Sequence, residues 1–128
     1  MKNSIQKTAA FLTKHGVKFE QSEKNIFLEN ETGDLDLNDK NIKTLPDLSC
    51  VLNLQELSLN GNRELSDITA VAALINLKYL GLVNTAVSDI SAVAGLIKLK
   101  ALYLANIDTS ELSKKEIGQA LPECSIYC

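Results

Sequence analysis

Pairs of leucines separated by one residue recur along this chain. Leu35-x-Leu37, Leu57-x-Leu59, Leu80-x-Leu82 and Leu102-x-Leu104 fall into one column, and the second leucines lie 22, 23 and 22 residues apart. Leu54, Leu77 and Leu99 stand three residues before the last three pairs. After the pairs come Ile42, Leu65 and Val87; then Leu45, Ile68 and Ile90; then Leu48, Val71 and Val93; then Val51, Leu74 and Leu96. The stretches SDITAVAALINLKYLGL (66–82) and SDISAVAGLIKLKALYL (88–104) nearly coincide as text.

Each unit thus reads L-x-x-L-x-L, a bend, then an apolar residue at every third position. The period-2 pair predicts a short strand with one buried face. The period-3 stretch predicts a 3₁₀ or short helical segment, in which residues i and i+3 stack. One such unit cannot cover its own apolar side, so successive units must stack and bury a continuous core between them. The second unit holds one additional residue near Arg63 and Glu64, which predicts a local bulge in its bend.

Both ends of an open stack need covering. At the N-terminus Ser4 is the expected N-cap of a helix in which Ile5, Ala9 and Leu12 recur at helical spacing, ended by Gly16. Val17 and Phe19, a polar turn from Ser22 to Asn25, and Ile26-Phe27-Leu28 predict a hairpin. At the C-terminus Ser113 to Glu116 has the form of a capping box, with Leu112 and Ile117 as a hydrophobic staple. Ile117, Ala120 and Leu121 form the expected buried stripe, Pro122 ends the helix, and Cys124, Ile126 and Cys128 alternate as a last strand.

The columns resemble the leucine-rich-repeat family, in particular its 22-residue internalin-like bacterial class, with the signature L-x-L-x-x-[NT]-x-[IV]-S-D-[IL]. Asn62 and Thr85 fill the Asn/Thr column, followed by Ser66-Asp67-Ile68 and Ser88-Asp89-Ile90. The first unit departs, with Lys40 in that column and Leu45-Pro46-Asp47 in place of Ser-Asp-Ile; the last departs with Ile107. The resemblance covers residues 32 to 128. It implies an α/β fold, a right-handed leucine-rich-repeat solenoid with short parallel strands on its concave face, an N-terminal helix/hairpin cap and a C-terminal helical cap. It also implies that Asn62 and Thr85 bond backbone across coils. The expected organisation is one domain over 1–128, with an N-terminal cap (1–31), about four repeats (32–107) and a C-terminal cap (108–128). Read so, the chain is expected to be complete and not a fragment.

Composition narrows the function. Apolar residues make up 45% of the chain, so a core forms without disulfides or metal. The net charge of -3 gives no basic face for nucleic acid or an anionic membrane, and neither is expected as a partner. Residues 34 to 67 concentrate seven acids against Lys40, Lys43 and Arg63. No apolar run reaches the ~18–20 residues of a membrane span, and residues 1 to 14 lack a signal-peptide h-region. A cytoplasmic monomer is the expectation; secretion without a signal, as an effector, is compatible with the same residues. The three cysteines, Cys50, Cys124 and Cys128, have no paired spacing, which suits a reducing compartment.

The motifs that could carry chemistry fall short. Asp34, Asp36 and Asn38 begin like a calcium loop, but Asp39 stands where its glycine belongs and Leu45 where its bidentate glutamate belongs. His15, the one histidine, is placed at a helix C-terminus, away from Cys50 and Cys124. Cys124 reads as a small core residue and Cys128 as an exposed thiol. No cofactor, metal or catalytic residue is expected, and a small enzyme is the disfavoured alternative; a deep pocket joining His15 to a carboxylate or thiol is what that alternative requires.

What remains is surface. In the family the concave face binds. The register presents Asp34, Asp36 and Asn38 from the first unit and Glu56, Ser58 and Asn60 from the second. Tyr79, Gly81 and Val83 follow from the third, then Ala101, Tyr103 and Ala105 from the fourth. An acidic half thus meets an apolar half with two tyrosines. The expected partner-binding residues are Asp34, Asp36, Asn38, Glu56, Ser58, Asn60, Tyr79, Val83 and Tyr103. The plainer alternative is that the strands tolerate tyrosine and the acids serve solubility. The function read from this is a non-catalytic protein–protein interaction module, the alternative being a bacterial effector or immunity-type protein that binds a foreign target.

Overall fold

A computed structural model describes residues 3–128. Met1 and Lys2, within the expected N-terminal cap, lie outside the described residues. The chain opens with helix α1 (Ser4–Lys14) and the strands β1 (Phe19–Gln21) and β2 (Ile26–Leu28), an antiparallel hairpin. The strands β3 (Asp34–Asp36), β4 (Glu56–Ser58), β5 (Tyr79–Gly81), β6 (Ala101–Tyr103) and β7 (Ser125–Tyr127) then form one five-stranded parallel sheet in chain order. Helix α2 (Glu111–Ala120) lies between β6 and β7 in sequence.

The leucine column sets the register. Leu35, Leu57, Leu80, Leu102 and Ile126 are successive Cα partners across the sheet. The four leucines are buried, as are Leu37, Leu59, Leu82 and Leu104, which directly follow the strands. Each fully buried leucine stabilises the fold by roughly 1.5–3 kcal/mol relative to an exposed one, so these columns dominate the energetics. The period-3 residues Ile42, Leu65, Val87, Ile68, Ile90, Leu48, Val71 and Val93 close the other side of the same core.

The bend after each strand has a stereochemical cause. Two residues beyond the second leucine stand Asp39, Gly61, Asn84 and Asn106, with φ of 55°, 81°, 56° and 59°. Only Gly, Asn and Asp enter this left-handed region at small cost, and the sequence supplies nothing else there. The additional residue of the second unit sits in a turn at Arg63 and Glu64, as expected. Short 3₁₀ segments follow at Thr69–Ala73 and Ser91–Val93. The first unit has no such segment, and residues 41–48 carry no regular structure. Pro46 lies there; it cannot donate a backbone hydrogen bond and biases Leu45 away from helical geometry.

The N-terminal elements join the core through specific contacts. Leu12 of α1 and Ile26 of β2 are fully buried in the leucine cluster. Ile26 bridges Val51 in parallel, and the Asn53 side chain accepts from Leu28 N (2.8 Å) and donates to Leu28 O (3.0 Å). Thr8, also fully buried, donates to the carbonyls of Ser4 and Asp47. The N-cap of α1 is Asn3 and not Ser4. Asn3 forms a complete capping box with Gln6, leaving the Ser4 hydroxyl to reach Asp47 (3.1 Å).

At the other end α2 also begins earlier than the pattern suggests. Ser110 is its N-cap and accepts from Ser113 N (3.0 Å), so Ser113 to Glu116 is not a capping box. Leu112 is 64% exposed and makes no staple. Ile117 and Leu121 are buried, but Ala120 faces solvent. The helix starts a turn early because Ser110 accepts from the Ser113 N–H and so caps a first turn that begins at Glu111.

Candidate functional site

The strands offer ten positions on the sheet face opposite the leucines. One register row reads Asp34, Glu56, Tyr79, Ala101 and Ser125; the next reads Asp36, Ser58, Gly81, Tyr103 and Tyr127. A depression of about 440 Å³ lies in this face, lined by Asp34, Glu56, Leu57, Ser58, Asn60, Tyr79, Leu80, Gly81 and Tyr103. Gly81 leaves room there for the Asn60 amide, whose Oδ1 would lie 2.7 Å from a Cβ at that position.

Six of the nine expected partner-binding residues therefore converge: Asp34, Glu56, Ser58, Asn60, Tyr79 and Tyr103. Asp36, Asn38 and Val83 do not line the depression. Two positions expected to be presented, Gly81 and Ala101, are buried.

The polar residues among them are already occupied. Asn38 Oδ1 accepts from Ser58 Oγ (2.6 Å) and from Asn60 N (2.9 Å). Asn60 Nδ2 donates to Ser58 Oγ (3.3 Å), and Asn60 Oδ1 accepts from Val83 N (2.8 Å). Asn38, Ser58 and Asn60 thus form a ladder that ties three repeats, and its Ser58 and Asn60 members line the depression.

The carboxylates are different. Among the described residues the Asp34 and Glu56 side chains take part in no hydrogen bond or ion pair, and Asp36 accepts only from Asn38 N (3.0 Å). Partial burial, reinforced by the neighbouring Asp36 charge, pushes the Asp34 carboxyl above its ordinary pKa. The acids that follow the bends, Asp47, Asp67 and Asp89, behave conversely. Asp47 lies below its ordinary value because the Ser49 hydroxyl and N–H donate to it; Asp67 and Asp89 are lowered in the same way by Thr69 and Ser91.

The aromatic wall extends further than the sequence reading placed it. Tyr103 stacks on Tyr127, with centroids 5.0 Å apart and 11° between planes, and Tyr127 is half exposed. The match of Ile126-Tyr127 with Leu102-Tyr103 was the signal available for this. Tyr79 lies one row away from Tyr103, and both border the depression.

Asn62 and Thr85 differ from each other. Asn62, fully buried, accepts from Lys40 N (3.1 Å) and Ile42 N (3.0 Å) and donates to Leu37 O (2.9 Å) and Leu59 O (2.8 Å), so it bonds across coils. Thr85 bonds only within its own unit, donating to Leu82 O (2.8 Å) and accepting from Val87 N (3.4 Å). Its hydroxyl is too short to span the gap, which the backbone bond from Ala86 N to Leu65 O closes (2.9 Å).

His15 caps the C-terminus of α1 and packs edge-on against Phe11. Burial, then Lys14 and Lys40, lower its pKa. The hollow beside it is lined by Phe11, Lys14, Lys40, Asn41, Ile42, Lys43 and Thr44, which include neither carboxylate nor thiol. Cys50 and Cys124 are half-buried, with thiols pushed up chiefly by burial, and Cys128 is exposed. Among the described residues no group of three or more His, Cys, Asp or Glu could hold a metal ion, and no helix is long and apolar enough to cross a membrane.

No protein-family model matches the chain, and no curated protein sequence matches it. Solved structures do. Internalin C2 from Listeria monocytogenes is 32% identical, with a TM-score of 0.64 over 73% of this chain and 39% of its own. A Leptospira interrogans leucine-rich-repeat protein is 28% identical, with a TM-score of 0.61 over 68% of this chain and 23% of its own. The internalin inlF from Listeria monocytogenes is 25% identical, with a TM-score of 0.68 over 95% of this chain and 34% of its own. This chain is an internalin-like leucine-rich-repeat protein. The internalin-like chain spans well under half the length of each of these three structures.

Proposed function

We propose that this chain is a protein-binding module, without catalysis, and that the face of the parallel sheet receives the partner. The observation that carries the reading is the depression bordered by Tyr79 and Tyr103, with three carboxylates of the same face held in no ion pair. Tyrosine offers a large, stiff contact area at low entropic cost and is over-represented at binding hot spots. The internalin-like neighbours support the same class of function at the level of the fold. The test is an affinity pull-down with the chain as bait, followed by titration of the captured protein. Tyr79→Ala and Tyr103→Ala are expected to weaken binding by ~2 kcal/mol or more each, about thirtyfold, with the melting temperature nearly unchanged. Two tyrosine variants that bind like the parent would move the site off this face.

The same proposal takes residues 1–128 as one domain, a right-handed solenoid whose sheet is its concave side. Residues 1–31 then act as the N-terminal cap and 108–128 as the C-terminal cap. Burial of Leu12, Ile26 and Leu28 against the leucine cluster supports the first of these assignments. Deleting residues 1–31 is expected to expose the Leu35 and Leu37 layer and cause aggregation, read by light scattering. A monomeric truncated chain with the parent melting temperature would make that segment a tail.

A further inference from the structure

We infer that the depression takes a basic side chain, an arginine guanidinium, from an extended segment of a partner protein; this rests on the sheet-face reading above. The ten positions of β3 to β7 on this face carry three carboxylates and three tyrosines, of which Asp34, Glu56, Tyr79 and Tyr103 line the depression, but no Lys or Arg, although the chain has 13. Asp34 and Glu56 are direct register partners on adjacent strands. Like charges so placed destabilise a sheet unless a cation lies between or above them. Among the described residues none does so, and neither side chain has any other polar partner.

The shape agrees with the charge. In the row Ser58, Gly81, Tyr103, Tyr127, the Asn60 amide packs where a side chain at Gly81 would stand, and the depression lies over the two, bordered by Tyr103. Stacking on Tyr127 occupies one face of the Tyr103 ring, and Tyr103, but not Tyr127, borders the depression. A planar guanidinium can lie on a tyrosine face while its N–H fork meets a carboxylate. An ammonium lacks the second capability, and an anionic group is repelled by Asp34 and Glu56. The partially buried Asp34 carboxyl also gains most from a cation that arrives with its own hydrogen bonds.

The test uses the ¹⁵N-labelled full chain and three blocked pentapeptides: Gly-Arg-Gly-Arg-Gly and its counterparts with norleucine or glutamate in place of arginine. The arginine peptide is expected to give saturable amide shifts confined to 56–60, 79–83 and 103, with the Tyr79 and Tyr103 ring signals moving. The double variant Asp34→Asn, Glu56→Gln should weaken its binding about tenfold, whereas Glu111→Gln should leave it unchanged; unaltered amide shifts in β5 to β7 confirm the fold of both. The inference is overturned by shifts spread equally over Glu20, Glu23 and Glu111–Glu116, by a double variant that binds as tightly as the parent, or by no binding of the arginine peptide. Equal binding of the norleucine peptide at this face also removes the basic side chain but leaves the sheet-face reading standing. That reading falls only with the tyrosine variants against the captured partner.

Discussion

Asn62→Ala is expected to destabilise the protein by about 3–5 kcal/mol, a large part of the ~5–15 kcal/mol that a domain of this size has. The side chain is fully buried and uses all of its hydrogen-bonding capacity: two donors on the Leu37 and Leu59 carbonyls, two acceptor sites on Lys40 N and Ile42 N. Alanine leaves those backbone groups in an apolar interior at roughly 1–3 kcal/mol each, partly relieved by relaxation or entry of water. Asn62→Asp keeps the acceptors but loses both donors and buries a charge, so it should be no better. Asn62→Thr should recover the one bond that Thr85 makes to Leu82 in the next unit, and its loss should be smaller. Urea unfolding followed by circular dichroism measures all three. An Asn62→Ala chain within 1 kcal/mol of the parent would show that the amide merely fills space.

Gly33→Ala is expected to prevent folding or to remove at least about 3 kcal/mol, from strain in the left-handed region together with a backbone clash. Gly33 has φ of 67°, and a Cβ there would drive into the Asn53 carbonyl oxygen and come within 3.1 Å of Gln55 N. Both obstacles are backbone, so neither can rotate away. The Gly33 carbonyl also accepts from Gln55 N and Glu56 N, and these bonds hold the start of β3 against β4. Two other glycines provide the scale. Gly16 shares the positive φ, but its Cβ would meet nothing within 4 Å, so Gly16→Ala should cost only about 1–2 kcal/mol. Gly95 has neither problem, and Gly95→Ala should be neutral or stabilising by about 0.4–1 kcal/mol. The expected order of melting temperatures is Gly95→Ala, Gly16→Ala, Gly33→Ala. Equal stability of the Gly33 and Gly95 variants would contradict the register at β3. Because β3 carries Asp34 and Asp36, loss of this register would also dismantle the acidic edge of the proposed binding face.

The repeat was legible because burial imposes a period. A leucine two residues from another, recurring every 22 or 23 positions, has no other low-energy solution than parallel strands stacked in column, and Leu35, Leu57, Leu80 and Leu102 pair accordingly. The left-handed bends were legible in principle too, since Asp39, Gly61, Asn84 and Asn106 share a column of residue types that tolerate positive φ. The column also carried the buried position of Asn62 and Thr85. It did not carry their different reach, which depends on side-chain length against the gap between coils. Helix starts were missed where two candidate caps stood within one turn, Asn3 beside Ser4 and Ser110 before Ser113, because either side chain can serve and only the path of the chain selects one. The outward face followed from period-2 alternation, so Asp34, Glu56, Tyr79 and Tyr103 were identifiable as neighbours from the sequence alone. Three features were decided in three dimensions. Asn38, Ser58 and Asn60 spend their polar atoms on one another; the Asn60 amide packs against Gly81 in the lining of the depression; and Tyr127, brought in by a strand that follows a helix, stacks on Tyr103. Periodicity states which side of the sheet a residue occupies. Which neighbour it then touches depends on the pairing of strands across α2 and on the volume each side chain leaves to the next.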